Sequence, residues 1–91
     1  MDTSNQSLAL FVTSSVQVRS SRGSISGIFC SIASGSPTIK VWNNTSATGT
    51  VLIETFTPVA GTMYDFGKDL IATNGIFVTI GGTVSCTVFY N

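Results

Sequence analysis

Apolar and polar residues alternate along most of this chain with a period of two. Ile28, Cys30 and Ile32 share one parity, as do Ile39 and Val41, Val51 and Ile53, Ile76, Val78 and Ile80, and Val84, Cys86 and Val88. Such alternation marks strands with one buried face, and no stretch repeats its apolar residues at helical spacing. The pattern predicts strands at Leu8–Thr13, Val16–Arg19, Gly23–Ala33, Thr38–Asn43, Thr50–Phe56, Thr62–Asp65, Ile76–Ile80 and Thr83–Tyr90. Turn chemistry separates them: Ser20-Ser21-Arg22, Ser34-Gly35-Ser36-Pro37, Asn43-Asn44-Thr45, Thr57-Pro58-Val59-Ala60-Gly61 and Asn74-Gly75. Gly81-Gly82 between two alternating runs predicts a tight hairpin. The last run ends on Phe89-Tyr90-Asn91 and belongs inside the sheet, because a loose apolar tail would aggregate. Lys68-Asp69-Leu70-Ile71-Ala72 reads as one helical turn or as an irregular connection.

About eight short strands at this spacing predict an all-β fold, a single small antiparallel β-sandwich, jelly-roll-like, with a closed barrel left open. Residues 1–6 (MDTSNQ) form a polar N-terminal arm, and residues 7–91 the β domain. The small branched residues of the shared parity suit an interior. The opposite parity carries Phe29, Trp42, Phe56, Phe77 and Phe89 among Ser, Thr and Lys40. Five large aromatics on a nominally outward face make a candidate subunit interface. A one-residue slip of any strand would exchange its faces, and a loop or the arm covering the aromatics would make them internal.

Composition sharpens this picture. Charged residues make up 9% of the 91 residues, against about 25% in ordinary domains, and the formal net charge is zero. A neutral, apolar-leaning small protein is poorly protected against self-association, which points to life in an assembly. Thirteen Ser and thirteen Thr offer a second route to solubility through surface hydroxyls. With no basic excess, the electrostatic signature of nucleic-acid binding is missing. The opening Met1-Asp2 and the short apolar run Leu8–Val12 do not make a secretory signal, and no run reaches the ~20 apolar residues of a membrane helix. The expectation is therefore synthesis in the cytoplasm, with Cys30 and Cys86 as free thiols on the buried parity.

Candidate chemistry is thin. Asp65-Phe66-Gly67 spells a kinase magnesium motif in a chain too short for a kinase. Glu54, Asp65 and Asp69 are scattered acids, better read as solvated than as cation ligands, and no cofactor or metal is expected. Asn5-Gln6-Ser7, Asn43-Asn44-Thr45 and Asn44-Thr45-Ser46 match the glycosylation sequon but read as turn residues. The chain lacks histidine, and no base stands ready to activate a Ser or Cys, so it is not expected to be an enzyme. Arg19 and Arg22 flank a turn and read as solvated.

From Arg19 onward, roughly four-fifths of the chain, the order of motifs resembles a group of small β-sandwich virion proteins of tailed bacteriophages. The matching pieces are Arg22-Gly23 before Gly27-Ile28-Phe29, the run Val41–Leu52 (VWNNTSATGTVL), Phe56–Thr62 (FTPVAGT), and Gly75–Thr83 (GIFVTIGGT) leading to Thr87-Val88-Phe89-Tyr90. Each is strand-and-turn chemistry, and the specificity lies in their order. The resemblance implies a capsid decoration, or cement, protein: a homotrimer on the virion surface, assembled in the host cytoplasm. Its partner would be the major capsid protein, whose shell it would stabilise by bridging capsomers. The alternative is a tail or fibre module that recognises host-surface glycan through Trp42, Tyr64 or Tyr90.

Overall fold

The structure, a computed structural model, describes residues 8–91, and for residues 67–69 the backbone only. The predicted arm lies outside the described residues. Among the described residues the fold is all-β and antiparallel, with six strands in chain order: β1 (Leu8–Val12), β2 (Val16–Arg19), β3 (Gly23–Trp42), β4 (Val51–Phe56), β5 (Thr62–Ala72) and β6 (Ile76–Tyr90). Three of them, β3, β5 and β6, are far longer than the alternation predicts, and two of these each join two predicted runs. The runs Gly23–Ala33 and Thr38–Asn43 belong to one strand of 20 residues, and Ile76–Ile80 and Thr83–Tyr90 to one of 15.

These two strands pair along nearly their whole length, from Ile25↔Tyr90 to Trp42↔Phe77. The outer side of β6 is lined by β1 and then β2, and the outer side of β3 by β5 and then β4. A straight strand of 20 residues would span about 66 Å at the usual rise, while the molecule measures 40 × 31 × 19 Å. The central ribbon must therefore bend. It does so where Ser34↔Thr83 gives way to Thr38↔Gly81, so that Gly35-Ser36-Pro37 face Gly82 alone. Gly35, Ser36 and Gly82 have φ of 63°, 58° and 68°, left-handed conformations that kink a strand without ending it. Pro37 sits in a central strand because the bulge needs no N–H from it. Gly81-Gly82 is thus a bend inside β6, and the hairpin predicted there does not form.

Both halves of the bent sheet feed one core. Ile25, Ile28, Cys30, Val84, Cys86 and Val88 come from one half, Ile39, Val41, Ile76 and Val78 from the other, and all are essentially inaccessible to solvent. The buried parity holds for most of the predicted positions and fails at bulges. Between Cys30 and Ile32 the register shifts, so Ile32 faces outward opposite Ser85 and is 52% exposed. Shifts on either side of Val41 act on β4. They set Phe56 opposite Ile39 and Val51 opposite Trp42, so Phe56 turns toward the core and Val51 joins Trp42.

The segment Lys68–Ala72, read as a helical turn or irregular connection, is part of β5. Its Leu70, Ile71 and Ala72 pair with Ile25, Ser24 and Gly23 after a register shift. The C-terminus is tied into the sheet as expected: Ser24 N–H donates to Asn91 O at 2.9 Å, and Asn91 N–H to Ser24 O at 2.8 Å.

The sequon-like asparagines bind loops together. Asn43 Oδ1 accepts from Asn74 N–H at 2.9 Å, and Asn44 Nδ2 donates to Thr48 O at 2.8 Å. The loop lies so close to the β5–β6 turn that a Cβ on Gly75 would meet Thr45 Cγ2 at 3.1 Å and Asn44 O at 3.2 Å.

Candidate functional site

Directly opposed residues of an antiparallel sheet project from the same face. One such row runs Phe11, Thr87, Phe29, Met63 across β1, β6, β3 and β5, and the next runs Ala9, Phe89, Gly27, Asp65. Their neighbours along β6, Cys86 and Val88, are buried, so both rows face outward. Phe11 is 63% exposed, Met63 46% and Phe29 37%. Ile32 and Ile71, opposite Ser85 and Ser24, extend the same apolar surface at either end. Gly27 shapes its centre, since a Cβ there would meet Met63 Cε at 2.6 Å. Asp65 is the one charged residue in the two rows.

The outer face of the other half is built differently. Gln17, Phe77, Trp42 and Val51 form its row, and its polar groups satisfy one another. Trp42 Nε1–H donates to Thr79 Oγ1 at 2.9 Å, Lys40 Nζ lies 4.3 Å from the centre of the Trp42 ring, and Lys40 pairs with Glu54 at 3.3 Å. Glu54 titrates below the ordinary carboxylate range, first because Thr55 N–H donates to it and then because of Lys40. At 73% side-chain exposure that pair adds little stability.

The five aromatics predicted as an interface therefore part company. Phe29 and Phe89 lie on the apolar face, and Trp42 and Phe77 on the half closed by its own bonds. Phe56 lies inward against the core, its ring edge-on to Tyr64 with centroids 5.1 Å apart. Phe11 and Met63, which complete the apolar row, were missed. The signal was present at Phe11, whose parity is opposite to that of Leu10 and Val12. The three aromatics named for glycan stacking share no surface: Tyr64 and Tyr90 pack against the core, and Trp42 is held from outside by Thr79 and Lys40.

No protein-family model matches the chain, and no curated protein and no solved structure matches it either.

Among the described residues no three His, Cys, Asp or Glu side chains gather in one place. Cys30 and Cys86 are free, buried and directly opposite each other across β3 and β6. Burial pushes both thiols up, Cys86 to about 11, with the neighbouring Cys30 adding to its shift. A raised pKa means that the fold favours the neutral thiol. The contribution is complete below the ordinary value near 9 and is lost as pH climbs through about 11. Stability should therefore fall over that window by up to about 2–3 kcal/mol more in the native chain than in Cys86→Val. Urea melts at successive pH values measure this, and parallel curves for the two proteins would refute it.

What the outer apolar face offers is burial. Covering one large side chain contributes about 1.5–3 kcal/mol, so a partner that covers Phe11, Phe29 and Met63 gains several such increments without any charged contact.

Proposed function

We propose that this chain is a non-catalytic structural subunit of a tailed-phage virion. In this reading it is a decoration protein that lies on the major capsid protein shell through the apolar face of β1, β6, β3 and β5. The observation that carries this reading is the face itself: Phe11, Phe29, Ile32, Met63 and Ile71 exposed together on one side of the sheet. Patches of this kind mark interaction surfaces on small soluble domains. Support also comes from the sequence resemblance to phage decoration proteins and from the near absence of charge, which suits permanent contact more than electrostatic capture.

Locating the chain in assembled particles tests the proposal. Antibody raised against the purified protein should label the outer faces of intact capsids. Recombinant protein should rebind expanded shells at a fixed number per capsomer. Substituting Phe29→Ser together with Met63→Ser should weaken that binding at least about tenfold. The same pair loses the buried half of each side chain and should lower the unfolding free energy by about 2–3 kcal/mol, so binding is compared where circular dichroism shows both proteins folded. Labelling confined to tails, or no labelling of any particle, would overturn the proposal.

A further inference from the structure

Among the described residues the sheet has four edge strands. Three are guarded by charge within the strand: Arg19 in β2, Glu54 in β4 and Asp65 in β5. Charges and bulges on an edge are the usual defence against pairing with another chain. β1, Leu-Ala-Leu-Phe-Val, has neither charge nor proline, and its five residues pair with β6 in unbroken register. Among the described residues no strand lies on its other side. Its side chains are also unfinished. Leu8 has the parity of Leu10 and Val12, which pack toward the core, yet it is 54% exposed, and Phe11 on the opposite face is 63% exposed.

We propose that β1 is a homotypic pairing edge, which joins the β1 of a second copy antiparallel about a two-fold axis at Leu10. A charge-free strand is matched by a charge-free partner, and among this chain's own edges only another β1 qualifies. The register is self-complementary in volume. A two-fold at Leu10 sets Phe11 opposite Ala9 of the second copy, large against small, twice. It also sets Leu8 opposite Val12 of the second copy on the inner side, covering the leucine that the monomer leaves open.

Backbone hydrogen bonds supply the attraction and the alternating side chains the register, as in strand addition generally. The two apolar faces then become one surface eight strands wide. A five-residue strand, about 17 Å long, buries less than a standard interface of ~800 Å² per partner, so the dimer should form in the range of tens of micromolar. The pairing rests on the edge alone and does not depend on what the face binds.

Sedimentation equilibrium of the full chain between about 10 µM and about 1 mM tests it. The native protein should fit a monomer–dimer equilibrium. Phe11→Glu or Ala9→Lys alone should weaken the dimer at least about tenfold, because each buries a lone charge at the edge. Both sites are exposed, so far-UV circular dichroism should stay unchanged. Combining the two substitutions in one chain places a carboxylate opposite the ammonium of the other copy at both ends of the pair, and the dimer should return. A native protein that stays monomeric or forms trimers, or a double variant no better than Phe11→Glu, would overturn the pairing. A native protein that is not a dimer yet still binds shells would leave the decoration role standing, whereas native dimers that ignore every shell would strike only at that role.

Discussion

Gly82→Ala is expected to cost about 3 kcal/mol or more of stability and to lower the melting temperature by roughly 12–24 °C. Two effects add. Gly82 has φ +68°, a conformation that costs an ordinary residue about 1–2 kcal/mol. In addition, a Cβ there would lie 2.5 Å from Gly35 O and 2.8 Å from Ser36 O. Those atoms are backbone and belong to the bulge that bends the ribbon, so they cannot swing aside as a side chain would. Gly35→Ala separates the effects. Gly35 has φ +63° and nothing within 4 Å of its would-be Cβ, so this change should show the conformational cost alone, about 1–2 kcal/mol. Thermal melts of the two variants decide the matter. Equal losses would mean that the close packing across the bend contributes nothing.

The same corner shows where the sequence could be read and where it could not. Alternation located most of the strand residues, because burial on one side of a sheet forces period two on the side chains, but it missed the links at 34–37 and 81–82 and most of β5. It could not say that Gly81-Gly82 bends a strand while Asn74-Gly75 ends one. Two glycines permit either outcome, and the choice depends on the bulge at Gly35-Ser36-Pro37, far away in sequence but directly opposite in space. The face of a residue was legible only as far as the next bulge. Val84, Cys86 and Val88 are core as expected because β6 runs regularly there. Parity alone sets Phe56 outward, because the shifts around Val41 leave no mark in composition.

The candidate site was half legible for the same reason. Phe29 and Phe89 emerge from regular stretches of β3 and β6. Phe11 had the right parity but is one aromatic in a five-residue edge strand, and its weight comes only from standing in a row with Phe29 and Met63. Rows across strands are tertiary information that no single-strand pattern contains. Low charge was the better guide to the surface: the structure shows an apolar face and an uncharged edge on the same half of the sheet.

Ile28→Ala should lower the unfolding free energy by about 3–4 kcal/mol, and Ile32→Ala by less than about 1 kcal/mol. In sequence the two isoleucines are equivalent: four residues apart, same parity, same strand. In the structure Ile28 is inaccessible, in a row with Leu10, Val88 and Tyr64, while Ile32 is 52% exposed beyond the register shift at Ser31. Removing buried methylenes loses their transfer energy and leaves a cavity that a two-faced sheet cannot readily close. For a domain whose whole stability is about 5–14 kcal/mol, the first loss removes a large share of it and the second is barely measurable. Chemical denaturation of the two variants side by side measures the difference. Comparable losses would mean that β3 runs without its bulge, that Ile32 points into the core, and that the apolar face ends at Phe29.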